Sequence, residues 1–151
     1  MLRLDAQSLG QRSQPKLFEV ERGAVRKFAK ALGLADSIYS SVEAAQAQGY
    51  RDLVAPPTFA VTLLPWQVPG LELPSAGVLH GEQEFEWGQP LCAGDVVEVT
   101  GWVDQVKSRS SQTGKMSMIT VCSEGRLKTG ELAFSARALL IVTEEAPHGD
   151  R

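Results

Sequence analysis

The sequence has little that suits metal, redox or phosphate chemistry. It holds two cysteines, Cys92 and Cys122, and two histidines, His80 and His148. The cysteines are too few and too far apart for a CxxC pair, so they read as two buried, reduced thiols. No His, Cys, Asp and Glu grouping has metal-ligand spacing, and no glycine-rich phosphate loop is present. Neither a metal nor a nucleotide cofactor is therefore implied. Cations are not in excess either: 15 Lys+Arg stand against 18 Asp+Glu, a net charge of −3. Without a basic surplus the chain is poorly equipped to neutralise a phosphate backbone, which argues against nucleic acid as a partner. No apolar run reaches the roughly 20 residues that a membrane-spanning helix needs. The N-terminal MLRLDAQSLG lacks the apolar stretch of a signal peptide, so the expected location is the cytoplasm. Repeats and low-complexity segments are missing too.

What is present is an ordinary globular mixture, 43% apolar in 151 residues, enough for one domain with a core and little else. Residues 1–16 are polar and read as a short strand at most, or a loose arm. Leu17 to Val20 alternates and suits a strand. Val25, Phe28, Ala29 and Leu32 then fall on one stripe of a helix over 22–32, with Gly33 in the C′ position after it. Ser40-Ser41-Val42-Glu43 carries a capping-box pattern that starts a second, short helix closed by Gly49. Prolines at 56 and 57 suit a helix's first turn, and the nearly all-apolar stretch after them predicts a buried helix from Pro57 to Leu64. The Pro-rich stretch 65–77 is apolar for a loop. It reads either as a loop packed on its own domain or as the wall of a ligand channel or a subunit contact.

From residue 78 the hydrophobic period changes to two. Strands are expected over 78–87, 95–106, 116–123 and 132–142, with a turn over 108–115 and another at 127–129. Residues 144–151 read as a fraying tail that contains His148. Helices followed by a run of antiparallel strands indicate an α+β fold, with the helices on one face of the sheet.

Three segments carry a resemblance. They are Phe28 to Gly33 through Asp36-Ser37-Ile38-Tyr39; Ala55-Pro56-Pro57-Thr58-Phe59; and Leu79-His80-Gly81-Glu82 to Glu86 with Pro90 to Asp95. In this order and at these spacings, the chain resembles the MaoC-like dehydratases, and within them the N-terminal dehydratase branch. The resemblance covers residues 15–143 of a single domain spanning 1–151. It implies a hotdog, an antiparallel sheet wrapped around a central helix, that pairs into a dimer or double hotdog. The implied substrate is an acyl thioester of coenzyme A or acyl carrier protein. The implied reaction is reversible addition of water to a trans-2-enoyl thioester, with no cofactor. The implied partner is a second hotdog chain, in a homodimer or heterodimer.

Such chemistry needs a carboxylate and a histidine aimed at one water, and a backbone N–H at the central helix's start to polarise the thioester carbonyl. In the catalytic branch both side chains lie in a Gly-Asp-x-Asn-Pro-x-His loop. Here that stretch reads Gly33-Leu34-Ala35-Asp36-Ser37-Ile38-Tyr39, so Leu34 and Tyr39 occupy the positions of the catalytic pair. Leucine cannot exchange a proton, and a tyrosine of ordinary pKa near 10 is a poor base at neutral pH. Prolines at 56 and 57 leave Thr58 as the available N–H donor.

The resemblance thus implies a subunit that binds the acyl chain and supports a catalytic partner. One alternative is a self-sufficient homodimeric hydratase or thioesterase that uses Asp36, Tyr39 or His80. Another is a non-enzymatic acyl-CoA binding protein. Asp36 also reads as an Asx-turn residue, His80 as a strand histidine, and Gly94-Asp95 as a turn at a strand start. Pro57, Thr58, Phe59 and Trp66 are the expected substrate-binding residues. Lys107, Arg109, Lys115, Arg126 and Lys128 gather around two turns, either as solvated tips or as a basic rim for coenzyme A phosphates or an acidic carrier.

Overall fold

Period-two alternation in the second half of the chain builds most of the structure, a computed structural model that describes residues 1–65, 67–112 and 114–145. The strands are β1 (Arg3–Leu4), β2 (Lys16–Glu19), β3 (Leu71–Glu72), β4 (Val78–Trp87), β5 (Val96–Ser111), β6 (Gly114–Leu127) and β7 (Leu132–Glu145). Five of them form one antiparallel sheet in the order β2-β5-β6-β7-β4, while β1 and β3 pair separately. Helices α1 (Arg22–Ala31) and α2 (Val42–Ala47) and a 3-10 helix over Pro57–Leu63 precede the long strands. The sheet packs on that central short helix, the arrangement expected of a hotdog. No helix among the described residues is long and apolar enough to cross a membrane.

The expected alternation carries through to burial. Val97, Val99 and Val103 of β5, Ile119 of β6 and Phe134 and Val142 of β7 are all buried on the inner face. Two clusters result. The larger joins Val20, Val25, Leu53, Phe59 and Phe134 beneath α1 and the central helix. The smaller joins Val68, Val103, Ile119 and Val142, and is covered by Leu2, Leu4 and Leu71.

Residues 1–16 are thus no loose arm. Asp5 N–H donates to Gly70 O at 2.9 Å, Gly10 N–H to Val103 O at 2.8 Å and Ser13 N–H to Gly101 O at 2.8 Å. Arg12 clamps Glu124 with two hydrogen bonds of 3.0 and 3.1 Å and lies 4.1 Å above the Trp102 ring. Such a bidentate pair fixes direction as well as charge.

Several local expectations need correction. Leu32 is the C-cap of α1 and is exposed, because the buried stripe ends at Ala29. The N-cap of α2 is Ser41: its hydroxyl accepts from Ala44 N–H at 3.2 Å and donates to Glu43 at 3.0 Å, so Glu43 does not reach back to residue 40. The segment 57–63 is a 3-10 helix and is not apolar on all sides; Phe59, Ala60 and Leu63 are buried while Pro57, Thr58 and Thr62 are exposed. The turn expected over 108–115 is tighter. Ser108 pairs with Ser117 and Ser111 with Gly114, so polar residues extend the ladder beyond the core. β7 likewise runs through Glu144 and Glu145. Cys92 is buried, but Cys122 is only half-buried, where burial pushes its thiol up from the ordinary range. His148 lies outside the described residues.

Candidate functional site

The chain reaches the central helix through a short pairing that fixes where the helix begins. Ala55 N–H donates to Leu91 O and Ala93 N–H to Leu53 O, both at 2.8 Å. Asp95 locks the far side of this pairing. It accepts from Cys92 N–H at 2.8 Å and from Arg51 at 2.6 and 2.7 Å, next to a Gly94 whose φ is +89°. Gly94-Asp95 is therefore a structural turn at a strand start. The first N–H in the helix's own hydrogen bonding belongs to Phe59, which donates to Pro56 O at 2.8 Å. Thr58 N–H precedes it, at the helix end where N–H groups lack intrahelical acceptors.

Past this helix lies an apolar cleft with a cavity of about 70 Å³. Val61 faces it from the helix and Leu64 from the cap just past it, and Val68, Leu71 of β3 and Leu73 from the segment that follows. Ala136, Ala138 and Leu140 form its floor on β7. The loop sits close to the sheet because residue 101 is glycine; a Cβ there would collide with Pro65 and press on Val68 at 3.0 Å. Small residues on the floor leave the cavity, and large ones on the loop wall it.

Among the described lining residues, only His80, Gln83 and Ser123 are polar. His80 and Gln83 are three apart, a spacing that would put them on opposite faces of a regular strand. A β-bulge at Gly81 removes that conflict: His80 opposes Leu140, Glu82 opposes Leu139 and Gln83 opposes Ala138. Both side chains therefore turn to the inner face. His80 Nε2 lies 3.0 Å from Gln83 Oε1, and Gln83 Nε2 donates to Arg137 O and Glu84 O at 3.2 Å. The glutamine amide is held by the backbone and in turn orients the imidazole.

The other candidates lie elsewhere. Asp36 is exposed and caps a 3-10 turn over Ser37–Tyr39, accepting from Ile38 N–H at 3.1 Å. Tyr39 is half-buried in the same turn and, like Asp36, does not line the cleft. Leu34 closes α1 in a Schellman motif: its N–H donates to Ala29 O at 3.0 Å, and Gly33 N–H, at φ +69°, donates to Lys30 O at 3.1 Å. Leu34 thus has a structural role in the position where the resemblance would place a carboxylate.

Phe59 is buried against Phe28 with ring centroids 5.5 Å apart, so it belongs to the core. Pro57 O accepts from Trp87 Nε1 at 2.9 Å, and Pro57 and Thr58 are exposed outside the cleft. Trp66 lies outside the described residues. Of the five cations, Lys107, Arg109 and Lys115 sit at the β5–β6 hairpin and Arg126 and Lys128 at the β6–β7 turn. These are opposite ends of β6, roughly 35 Å apart at the rise of a strand, so the cations form no single rim. Gln83 was missed in the sequence, although a glycine inside a strand pattern signals a bulge.

The profile of the family described as "FAS1-like, dehydratase domain region" matches residues 7–136. A UPF0336 protein of Parafrankia sp. is 35% identical over 136 residues, covering 86% of this chain and 87% of that one. Among solved structures, the HadBC (3R-hydroxyacyl-ACP dehydratase) complex of Mycobacterium tuberculosis is similar with a TM-score of 0.67 at 23% identity, over 93% of this chain and 94% of that one. The ChsH1–ChsH2 complex of the same organism gives 0.72 at 20% identity, with the same coverage of 93% and 94%. A MaoC-like dehydratase from Rhodospirillum rubrum gives 0.67 at 20% identity, covering 92% and 94%. These structural likenesses establish a hotdog fold, and the sequence match carries the assignment: the chain belongs to the FAS1-like, dehydratase domain region family.

Proposed function

We propose that the chain is the acyl-binding subunit of a MaoC-like 3-hydroxyacyl-thioester dehydratase, or (R)-specific enoyl-thioester hydratase, and works with a catalytic hotdog partner. The observation that carries this reading is the cleft. It is apolar, as an acyl chain requires, and His80 is the one titratable side chain among its described lining residues. Water addition moves two protons: one leaves the attacking water as its oxygen bonds to the β-carbon, and one joins the α-carbon. A carboxylate and a histidine together can carry both. His80 alone can exchange one, while Asp36 is occupied as a cap and Leu34 as a helix stop.

In this reading His80, oriented by Gln83, offers a hydrogen bond to the thioester end of the substrate, and Val68, Leu71 and Leu73 enclose the chain. The substrate is a thioester of coenzyme A or of acyl carrier protein, and no cofactor takes part. The family assignment supports dehydratase chemistry, and the similar HadBC and ChsH1–ChsH2 structures are both complexes. The test is co-purification with a hotdog chain that carries the Gly-Asp-x-Asn-Pro-x-His loop. The pair is expected to hydrate crotonyl-CoA, and an Asp→Asn change in the partner's loop to abolish it. A pair that binds acyl-CoA without turnover would favour a binding protein instead.

A further inference from the structure

We infer that the cleft takes an acyl chain with an oxygen substituent of its own, a hydroxyl or oxo group well removed from the thioester, and that Ser123 of β6 recognises it. The inference rests on the acyl-binding reading above and narrows its substrate class.

Two polar side chains are buried among the described residues, Ser117 at 1% and Ser123 at 3% exposure. Both belong to β6, and their even spacing puts them on its inner face, with buried Ile119 and Val121 between them. Ser117 is satisfied, its hydroxyl 2.8 Å from Ser108 Oγ across the ladder. Ser123 is not: among the described residues no group hydrogen-bonds its hydroxyl. None of the described side-chain polar atoms is both unpaired and sealed off. The Ser123 hydroxyl therefore keeps an opening, and that opening is the cleft, which Val121, Ala136 and Ala138 line from the same face. An unpaired hydroxyl on an apolar floor is destabilising. Alanine fills the neighbouring place on β7, at Ala136, without that penalty. A serine hydroxyl both donates and accepts, so an oxygen on the ligand supplies the partner that the protein does not.

The position of Ser123 separates this oxygen from the thioester. In the ladder Gln83 opposes Ala138 and Ala138 opposes Val121, while Ser123 stands two residues along from Val121, opposite Ala136. Two strand spacings across and two residues along put the Cα positions of Gln83 and Ser123 roughly 12 Å apart, and His80 lies further still. With the thioester at His80, Ser123 meets the chain several carbons beyond those that react. Between the two ends Val121 and Ala138 present apolar surface only. A site built to hydrogen-bond one group of its substrate discriminates against the analogue that lacks it, because its own polar group is then left unpaired. A plain saturated chain is accordingly the poorer ligand.

The experiment is isothermal titration of the full chain, wild type and Ser123→Ala, with octanoyl-CoA and with octanoyl-CoA bearing one hydroxyl or oxo group at carbon 6, 7 or 8. Wild type is expected to bind at least one oxygenated thioester about tenfold more tightly than octanoyl-CoA, the worth of one hydrogen bond to an otherwise unpaired hydroxyl. In Ser123→Ala that preference is expected to fall below about twofold. Thermal unfolding reads the other half of the argument: since the protein itself does not pair the hydroxyl, the variant should melt no more than about 3 °C below wild type. The inference is overturned if no oxygenated thioester binds more tightly than octanoyl-CoA, or if the preference survives Ser123→Ala. A larger fall in melting temperature overturns it too, as the mark of a hydroxyl that the fold uses. Octanoyl-CoA separates the two readings. If it binds and the oxygenated chains gain nothing, this inference alone fails; if no thioester binds, the acyl-binding reading fails with it.

Discussion

His80 Nε2 and Gln83 Oε1 lie 3.0 Å apart, on one face of β4, because a bulge at Gly81 takes up the odd residue between them. The pair forms one polar end of a cleft whose other described lining residues, Ser123 apart, are apolar. His80→Ala is expected to weaken octanoyl-CoA binding about fivefold, the worth of one ordinary hydrogen bond. His80 is exposed, so the melting temperature should stay within about 2 °C. Isothermal titration and thermal unfolding of the same sample check both.

The floor of the cleft sets its capacity. Ala138→Leu adds bulk where Ala136, Ala138 and Ser123 leave space. Octanoyl-CoA binding should weaken about tenfold while crotonyl-CoA binding changes little, since each methylene in an apolar pocket is worth ~1 kcal/mol or more. Titration with the two thioesters distinguishes lost chain room from a general defect.

Gly101 seats the loop that walls the cleft. A Cβ there meets Pro65 and Val68, so Gly101→Ala must push the loop away from the sheet. The expected cost is about 1–3 kcal/mol, typical of overpacking, measured by urea unfolding. Acyl-CoA binding should fall in parallel, whereas Gly23→Ala, in α1 with open space around its Cβ and ordinary helical backbone, should leave binding intact.

Acid should release the N-terminal arm. The Arg12 guanidinium holds the Glu124 carboxyl below its ordinary range. A carboxylate whose folded pKa is depressed contributes stability that is fully present above its unfolded value, about 4.3, and lost as pH falls through the folded one. The Trp102 indole signal, under Arg12, should therefore titrate with a midpoint below 4.3. Glu124→Gln should give the released signal at neutral pH.

The residues that made the sheet legible were those whose faces differ. Val97, Val99 and Val103, or Phe134, Ala136 and Ala138, alternate with polar neighbours, and the structure places them inward. The site was harder to read, because its determinants break the local pattern. Val61 and Leu64 look like core residues by composition, yet they line a cleft. The bulge at Gly81 depends on the register of β4 against β7, which no single strand reveals. Ser108 to Ser111 look like a turn, but the hydrogen bonds of β6 carry them on as strand. The apolar stretch 65–77 was legible as a channel wall or a packed loop, since Val68, Leu71 and Leu73 had too much apolar surface for an exposed one.

With His80 the one titratable side chain among the described cleft residues, the chain is expected to bind an acyl thioester yet lack the groups to hydrate it alone. The decisive measurement is the fall in enoyl-thioester absorbance when the purified chain alone is mixed with crotonyl-CoA. No turnover above that of the His80→Ala variant is expected, and hydration only once the catalytic hotdog chain is added. Turnover by the isolated chain at an ordinary enzymatic rate of ~1 per second or more would refute the subunit reading.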